Sequence, residues 1–301
     1  MEPRETIVRA RGVELCTQTF GDAADPTILL VHGIGAAMDF WDEELCRRLA
    51  AGPHQVVRYD HRDTGQSTTY PPGAPGYTGR DLADDILTIL DGLGVDSAHL
   101  VGQSMGGALA QEVALDHPER VRSLTLVSTT AVGALPEGLD LPPPTDELAA
   151  TFSSPAPEPD WSDRDAVVEY LVDSFRPYAG SGPFDEDGLR VAAQRVVDRS
   201  HNVASAGNHA LADPGPSPEP APAQSDLAVP TLVIHGTEDP LFPLPHGQAL
   251  ARLIPGAELL VVDGMGHELP RWTWDTTVPA ILAHTAAADR AVTARGAGRR
   301  G

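Results

Sequence analysis

Apolar and polar positions recur along the first third of the chain with two different periods. Val13–Phe20 alternates as a strand does, and Thr27–Val31 is an unbroken apolar run suited to a buried strand. Residues 41–51 follow helical spacing, with Trp41, Leu45 and Leu49 on one face, and 54–59 returns to strand. Thr78 and Asp81 are spaced as a capping box. They predict a helix over 78–93 whose apolar positions are Leu82, Ile86, Ile89, Leu90 and Leu93. A strand over 98–101, a helix over 105–115 and a strand over 124–127 complete this part.

From 131 to 225 the texture changes. Prolines cluster at Pro142–Pro144, around 155–159 and over 214–222, and helices are expected between them at Arg164–Phe175 and 187–199. Alternation then resumes with a strand over 231–234, a helix over 247–253, a strand at Glu258–Val262 and a helix ending at Ile281. Strands alternating with helices imply an α/β fold: a mostly parallel sheet with helices on both faces. The interruption reads as an inserted helical lid. The expected organisation is a core of residues 1–130 and 226–288, a lid of 131–225, and a frayed Gly/Arg-rich tail over 289–301.

Composition narrows the function. No apolar run is long enough to span a bilayer, and no apolar segment of a secretory signal follows Met1. Cys16 and Cys46 are the only cysteines, too few for a disulfide framework or a thiolate metal cluster, so a reducing cytoplasm is the expected setting. A formal net charge of -22 speaks against nucleic acid. All 21 basic residues are arginine. The absence of lysine removes Schiff-base chemistry, the phosphate-binding P-loop and a Ser-Lys dyad.

The candidate chemistry lies at strand ends. Gly102-Gln103-Ser104-Met105-Gly106 sits between a strand and a helix, where a serine in a sharp turn projects its hydroxyl above the sheet and flanking glycines relieve crowding. A serine hydroxyl needs a base, and the base needs an orienting acid, in the chain order Ser, Asp, His. Asp239 closes the turn after strand 231–234, and His267 follows strand Glu258–Val262. Glu238 and Asp263 are rival acids, and Asp239 is preferred because Pro240 holds its turn rigid. His61, His117, His209 and His246 read as turn or surface residues, and His235 as shaping its own turn. For an oxyanion, donors are expected from the Met105 amide and from the loop His32-Gly33-Ile34-Gly35, with the Ile34 amide as second donor. No metal or cofactor is called for.

In order and spacing, the His32-Gly33 loop, the turn Asp60-His61-Arg62-Asp63-Thr64-Gly65-Gln66-Ser67, the elbow and Gly264-Met265-Gly266-His267 resemble the α/β-hydrolase superfamily. The His-Arg-Asp-Thr-Gly turn, with Leu253-Ile254-Pro255 and Gly264 to Pro270, is similar to the aclacinomycin methylesterase branch. That resemblance implies a serine esterase acting on a bulky polyketide-type or macrocyclic ester. Its nearest alternatives are a cofactor-free perhydrolase or haloperoxidase and a carbon–carbon bond hydrolase, and from another class a hydrolase-fold binding protein without turnover. Dehalogenases and epoxide hydrolases resemble the fold but carry aspartate where Ser104 stands. The expected partner is a small-molecule ester, with neither nucleic acid nor membrane. Gln103, Trp161, Phe175 and Tyr178 are candidates for the substrate pocket; with Phe152 and Phe184 these lid aromatics read first as core. The segment 131–225 carries sixteen acidic residues against five arginines, a solvated face that would also favour neutral or cationic substrates.

Overall fold

A computed structural model describes residues 4–216 and 221–298. Its strands are β1 (Arg4–Ala10), β2 (Val13–Phe20), β3 (Thr27–Val31), β4 (Gln55–Tyr59), β5 (Ala98–Gln103), β6 (Val121–Val127), β7 (Thr231–Gly236) and β8 (Glu258–Val262). They form one sheet in the order β1-β2-β4-β3-β5-β6-β7-β8. β1 and β2 pair antiparallel, β2 joins β4 antiparallel, and every later pair is parallel. Parallel neighbours need crossovers, and these are α1 (Glu43–Ala50), α2 (Gly79–Gly92), α3 (Met105–Asp116) and α7 (Pro245–Leu253), while α8 (Trp274–Gly298) follows the last strand. Between β6 and β7 the chain instead makes α4 (Asp146–Ser153), α5 (Arg164–Phe175) and α6 (Glu186–Arg199).

The two-residue strand period explains why helices cover both faces. Leu29, Val31, Leu100 and Val233 point into one core with Leu82 and Ile86 of α2, Leu109 of α3 and Leu250 of α7. Their neighbours Ile28, Leu30, Val101 and Ile234 point the other way, onto Leu45 and Leu49 of α1 and Trp274 and Ile281 of α8. A strand buried on both sides is apolar throughout, which is why β3 shows no alternation.

Besides the earlier start of β6 at Val121 and the added helix α4, three departures from the pattern have a clear local cause. β1 carries Arg4, Glu5 and Arg9 on an edge and hides only Val8, so its hydrophobic signal is faint. Its place is fixed instead by a tight hairpin through Arg11 and Gly12, both at positive φ (51° and 81°), pairing Ala10 with Val13. α1 starts at Glu43, because the Asp42 carboxylate accepts the Glu44 amide and caps the helix there. The last helix continues beyond Ile281 to Gly298, through most of the stretch read as a frayed tail; Ala283 and Ala286–Ala288 sustain it. Residues 299–301 of that tail, and Pro218 and Pro220 of the third proline cluster, lie outside the described residues.

Among the described residues no helix is long and apolar enough to cross a membrane. The insertion has its own small core of Val168, Val172 and Ala193. It is tied down over the carboxyl ends of the strands by named contacts. Arg199 reaches Asp39 and Asp60, each at 2.9 Å, and the Asn208 amide donates to Asp63 at 2.9 Å. Asp60 and Asp63 belong to the turn after β4, where the Asp60 carboxylate also accepts the Met38 and Gln66 amides.

Candidate active site

Ser104 follows β5 and precedes α3 with φ 53° and ψ -122°. A non-glycine residue in that region stores on the order of 1–3 kcal/mol, so the surroundings must hold it. Its amide donates to the Val127 carbonyl, and its own carbonyl accepts from the Gly107 amide and the Thr129 hydroxyl. The flanking glycines permit this. A β-carbon on Gly102 would lie 2.4 Å from the Gly106 carbonyl oxygen, and one on Gly106 would lie 2.1 Å from that of Val31. The helix therefore starts in backbone contact with the end of β3.

The loop after β3 passes directly over the serine. A β-carbon on Gly33 would sit 3.2 Å from that of Ser104 and 3.7 Å from its hydroxyl oxygen. The Gly33 amide donates to His32 Nδ1 (2.7 Å) and the Gly35 amide to His209 Nδ1 (2.8 Å). Among the described residues no acceptor takes the Ile34 amide between them, and the Ile34 side chain is exposed. Since His209 Nδ1 accepts, its Nε2–H donates, to the Arg62 carbonyl at 2.7 Å. Burial holds the imidazole of His32 neutral, with its pKa pushed down to about 3, and lowers that of His209.

The surface reading of the histidines therefore needs correction. His61, His209 and His246 are buried, and only His117 stands at an accessible helix end. His61 Nε2–H donates to the His32 carbonyl (3.1 Å), and His246 bridges Thr130 and Pro142. His209 is supplied by the insertion, so local sequence carried no sign of the loop it supports. His235 does shape its turn: Nε2 lies 2.7 Å from the Phe242 carbonyl.

His267 Nδ1 lies 3.0 Å from one Asp239 oxygen and 3.1 Å from the other. Asp239 is buried, and its Oδ1 accepts the Leu241 and Phe242 amides, each at 2.9 Å. The rival acids are used elsewhere. Glu238 accepts the amide and hydroxyl of Ser181 in the insertion, and Asp263 accepts the Thr237 hydroxyl. Gln103 donates its side-chain amide to the His267 carbonyl, and the His267 amide donates to the Tyr178 carbonyl of the insertion.

Ser104, His267, Ile34, Gln103, Trp161, Phe175 and Tyr178 all line one cavity of about 430 Å³. Phe175 and Tyr178 are thus half-buried wall residues rather than core, because aliphatic side chains fill the centre of the insertion. Phe152 is 53% exposed, and Phe184 packs beside the small core under Arg176. A smaller chamber of about 100 Å³ adjoins the first behind Phe40, Tyr178 and Glu268. At the opposite, amino-terminal ends of the strands, the ligand atoms of His54, His99 and Asp289 lie within 4.8 Å of one another, with Arg122 already on Asp289.

A family model described as the alpha/beta hydrolase fold matches residues 26–270. Rhodomycin D methylesterase DauP of Streptomyces sp. (strain C5) is 33% identical over 92% of this chain and 96% of its own. The DnrP enzyme of the same name from Streptomyces peucetius is 34% identical over the same shares. Among solved structures, an esterase from Exiguobacterium antarcticum superposes with a TM-score of 0.73 at 21% identity, covering 94% of this chain and all (100%) of that one. Est816, described as an N-acyl homoserine lactone degrading enzyme, gives 0.62 at 29% identity, covering 87% and 93%.

Proposed function

This chain belongs to the α/β-hydrolase family, in the methylesterase-like branch, and is a hydrolase acting on ester bonds; on that premise we propose that it is a serine esterase with Ser104 as nucleophile, His267 as base and Asp239 as acid. The observation that carries this reading is the 3.0 Å contact of His267 Nδ1 with buried Asp239, beside a serine held at positive φ on the same cavity. Donation of Nδ1–H to the carboxylate leaves the Nε2 lone pair to take the serine proton. Ser104 then attacks the ester carbonyl, and the imidazolium is steadied by Asp239. The uncommitted Ile34 amide and the Met105 amide at the start of α3 receive the oxyanion. His267 returns the proton to the leaving alcohol, and a water activated by the same imidazole cleaves the acyl-enzyme.

The substrate we infer is a methyl ester on a bulky polyketide-type compound, with the insertion acting as its lid. Two relatives named as rhodomycin D methylesterases, similar along nearly their whole length, support this. So does a cavity of about 430 Å³ with aromatic walls, within the range of sites for drug-sized ligands. The test is mass spectrometry of the intact protein after a fluorophosphonate probe, run beside methyl-ester turnover. A single adduct on Ser104, and a loss of turnover of about 10⁴-fold or more in Ser104→Ala, are expected. Turnover surviving in Ser104→Ala would refute the assignment.

A further inference from the structure

Far from the cavities, the cluster of His54, His99 and Asp289 joins three separate elements. His54 directly precedes β4, His99 belongs to β5, and Asp289 stands on α8. The ligand atoms of the three lie within 4.8 Å of one another. Both imidazoles are buried, His54 to 2% exposure and His99 completely. A neutral imidazole carries one N–H donor and one lone pair, and leaving either unmade in the interior is costly. The other buried histidines, at 32, 61, 209, 235, 246 and 267, each set at least one ring nitrogen against a protein partner. His54 does not. Among the described residues neither of its ring nitrogens has a hydrogen-bond partner, and His99 Nε2 has none either.

Two imidazoles and a carboxylate make a donor set that suits zinc, whereas calcium and magnesium take oxygen ligands. The supports of such a site are present. His99 Nδ1 lies 2.8 Å from the Ser123 hydroxyl, and donation of Nδ1–H to that oxygen leaves the lone pair on Nε2. His99 Nε2 is 3.3 Å from Asp289 Oδ1, against the roughly 3.4 Å that separates two ligand atoms on one tetrahedral zinc. His54 need approach by at most about 1.4 Å to reach the same spacing. Its main chain is held, since a β-carbon on Gly21 would lie 2.4 Å from the His54 carbonyl oxygen. Arg122 grips Asp289 Oδ1 through Nε at 2.9 Å and Nη2 at 2.8 Å. Arg122 and Asp289 are each about a quarter exposed, which gives an ion a way in and the guanidinium a way out. We propose that His54, His99 and Asp289 form a zinc site that staples the last helix to the sheet, displacing Arg122 and completed by solvent. The site lies at the strand ends opposite Ser104, so it stands apart from the esterase reading.

The experiment strips the full chain with a chelator and titrates it calorimetrically with Zn2+ alone, beside His54→Gln, Asp289→Asn and Arg122→Gln. In wild type one equivalent should bind saturably, and the melting temperature should climb with zinc concentration. Both signals should be lost in His54→Gln and in Asp289→Asn. The asparagine matches the carboxylate in size at a partly exposed position, so it tests the site even where a change at buried His54 disturbs folding. Arg122→Gln removes the competing cation and should tighten binding about five-fold or more. Co2+ in place of zinc should give the visible absorption of a four-coordinate ion in wild type and lose it in Asp289→Asn. One equivalent of zinc held equally well by Asp289→Asn, or no saturable zinc in either wild type or Arg122→Gln, would overturn the site. None of these measurements uses turnover, so they separate failure of the zinc site from failure of the esterase assignment.

Discussion

The carboxyl edge of the sheet and the helical insertion above it are held by different kinds of contact. At the edge, the elbow is fixed by backbone against backbone, with Gly102 against Gly106 and Gly106 against Val31 too close for an added β-carbon, and the loop after β3 hangs on two buried neutral histidines. Across the insertion, α5 and α6 meet at a small buried cluster of Val168, Val172 and Ala193. Exposed pairs join them, Arg164 to Asp198 and Arg190 to Glu169. Close packing tolerates no added atom, whereas exposed ion pairs contribute little and tolerate exchange. The difference separates a part that must keep its geometry from a part free to change its contents.

The sharpest way to break that contrast is to add one carbon in each region. Gly106→Ala forces a β-carbon to 2.1 Å from the Val31 carbonyl oxygen, so the helix and the loop after β3 must part. A loss of roughly 3–5 kcal/mol in urea unfolding is expected, with turnover down at least about a hundred-fold. Gly207→Ala in the insertion meets nothing within 4 Å and should leave stability unchanged or slightly higher. Equal damage from both would abolish the distinction.

A second comparison uses acid. His32 and His61 titrate near 3 in the folded protein against an ordinary 6.5, because burial disfavours their charged forms. Below pH 6.5 the unfolded chain therefore binds protons that the folded one refuses. Their contribution is complete above 6.5 and falls toward pH 3, by about 1.4 kcal/mol per pH unit for each histidine. Unfolding free energies from urea titrations between pH 7 and pH 4 should fall less steeply in His61→Gln than in wild type, the difference being His61's share. The smallest effect expected is from Arg190→Ala. Its partners Glu169 and Glu186 are accessible, so the melting temperature should stay within about 2 °C of wild type.

How much of this was legible in the chain follows the same division. The strand periods, the Thr78–Asp81 capping box and the glycine spacing around Ser104 are local signals, and the structure has them where the pattern put them. The meeting of Asp239 with His267 was readable because both follow strands that pair side by side. His209 was not readable, because its partner Gly35 is 174 positions away and nothing near it in sequence announces the loop. The aromatics of the insertion misled for a related reason. Spacing tells which residues share a helix face, but whether that face meets a core or a cavity depends on the segment opposite. The role of Arg11-Gly12 was present in the sequence, masked by the charged strand before it.

Where Gly106 meets Val31 and His32, the touching atoms are peptide carbonyls, which every amino acid carries alike. Most codon changes around that point leave the contact as it was, whereas any that puts a β-carbon on Gly106 breaks it. A lineage can therefore rewrite the roof over Ser104 for one new compound after another while the spacing between helix and loop passes on unaltered.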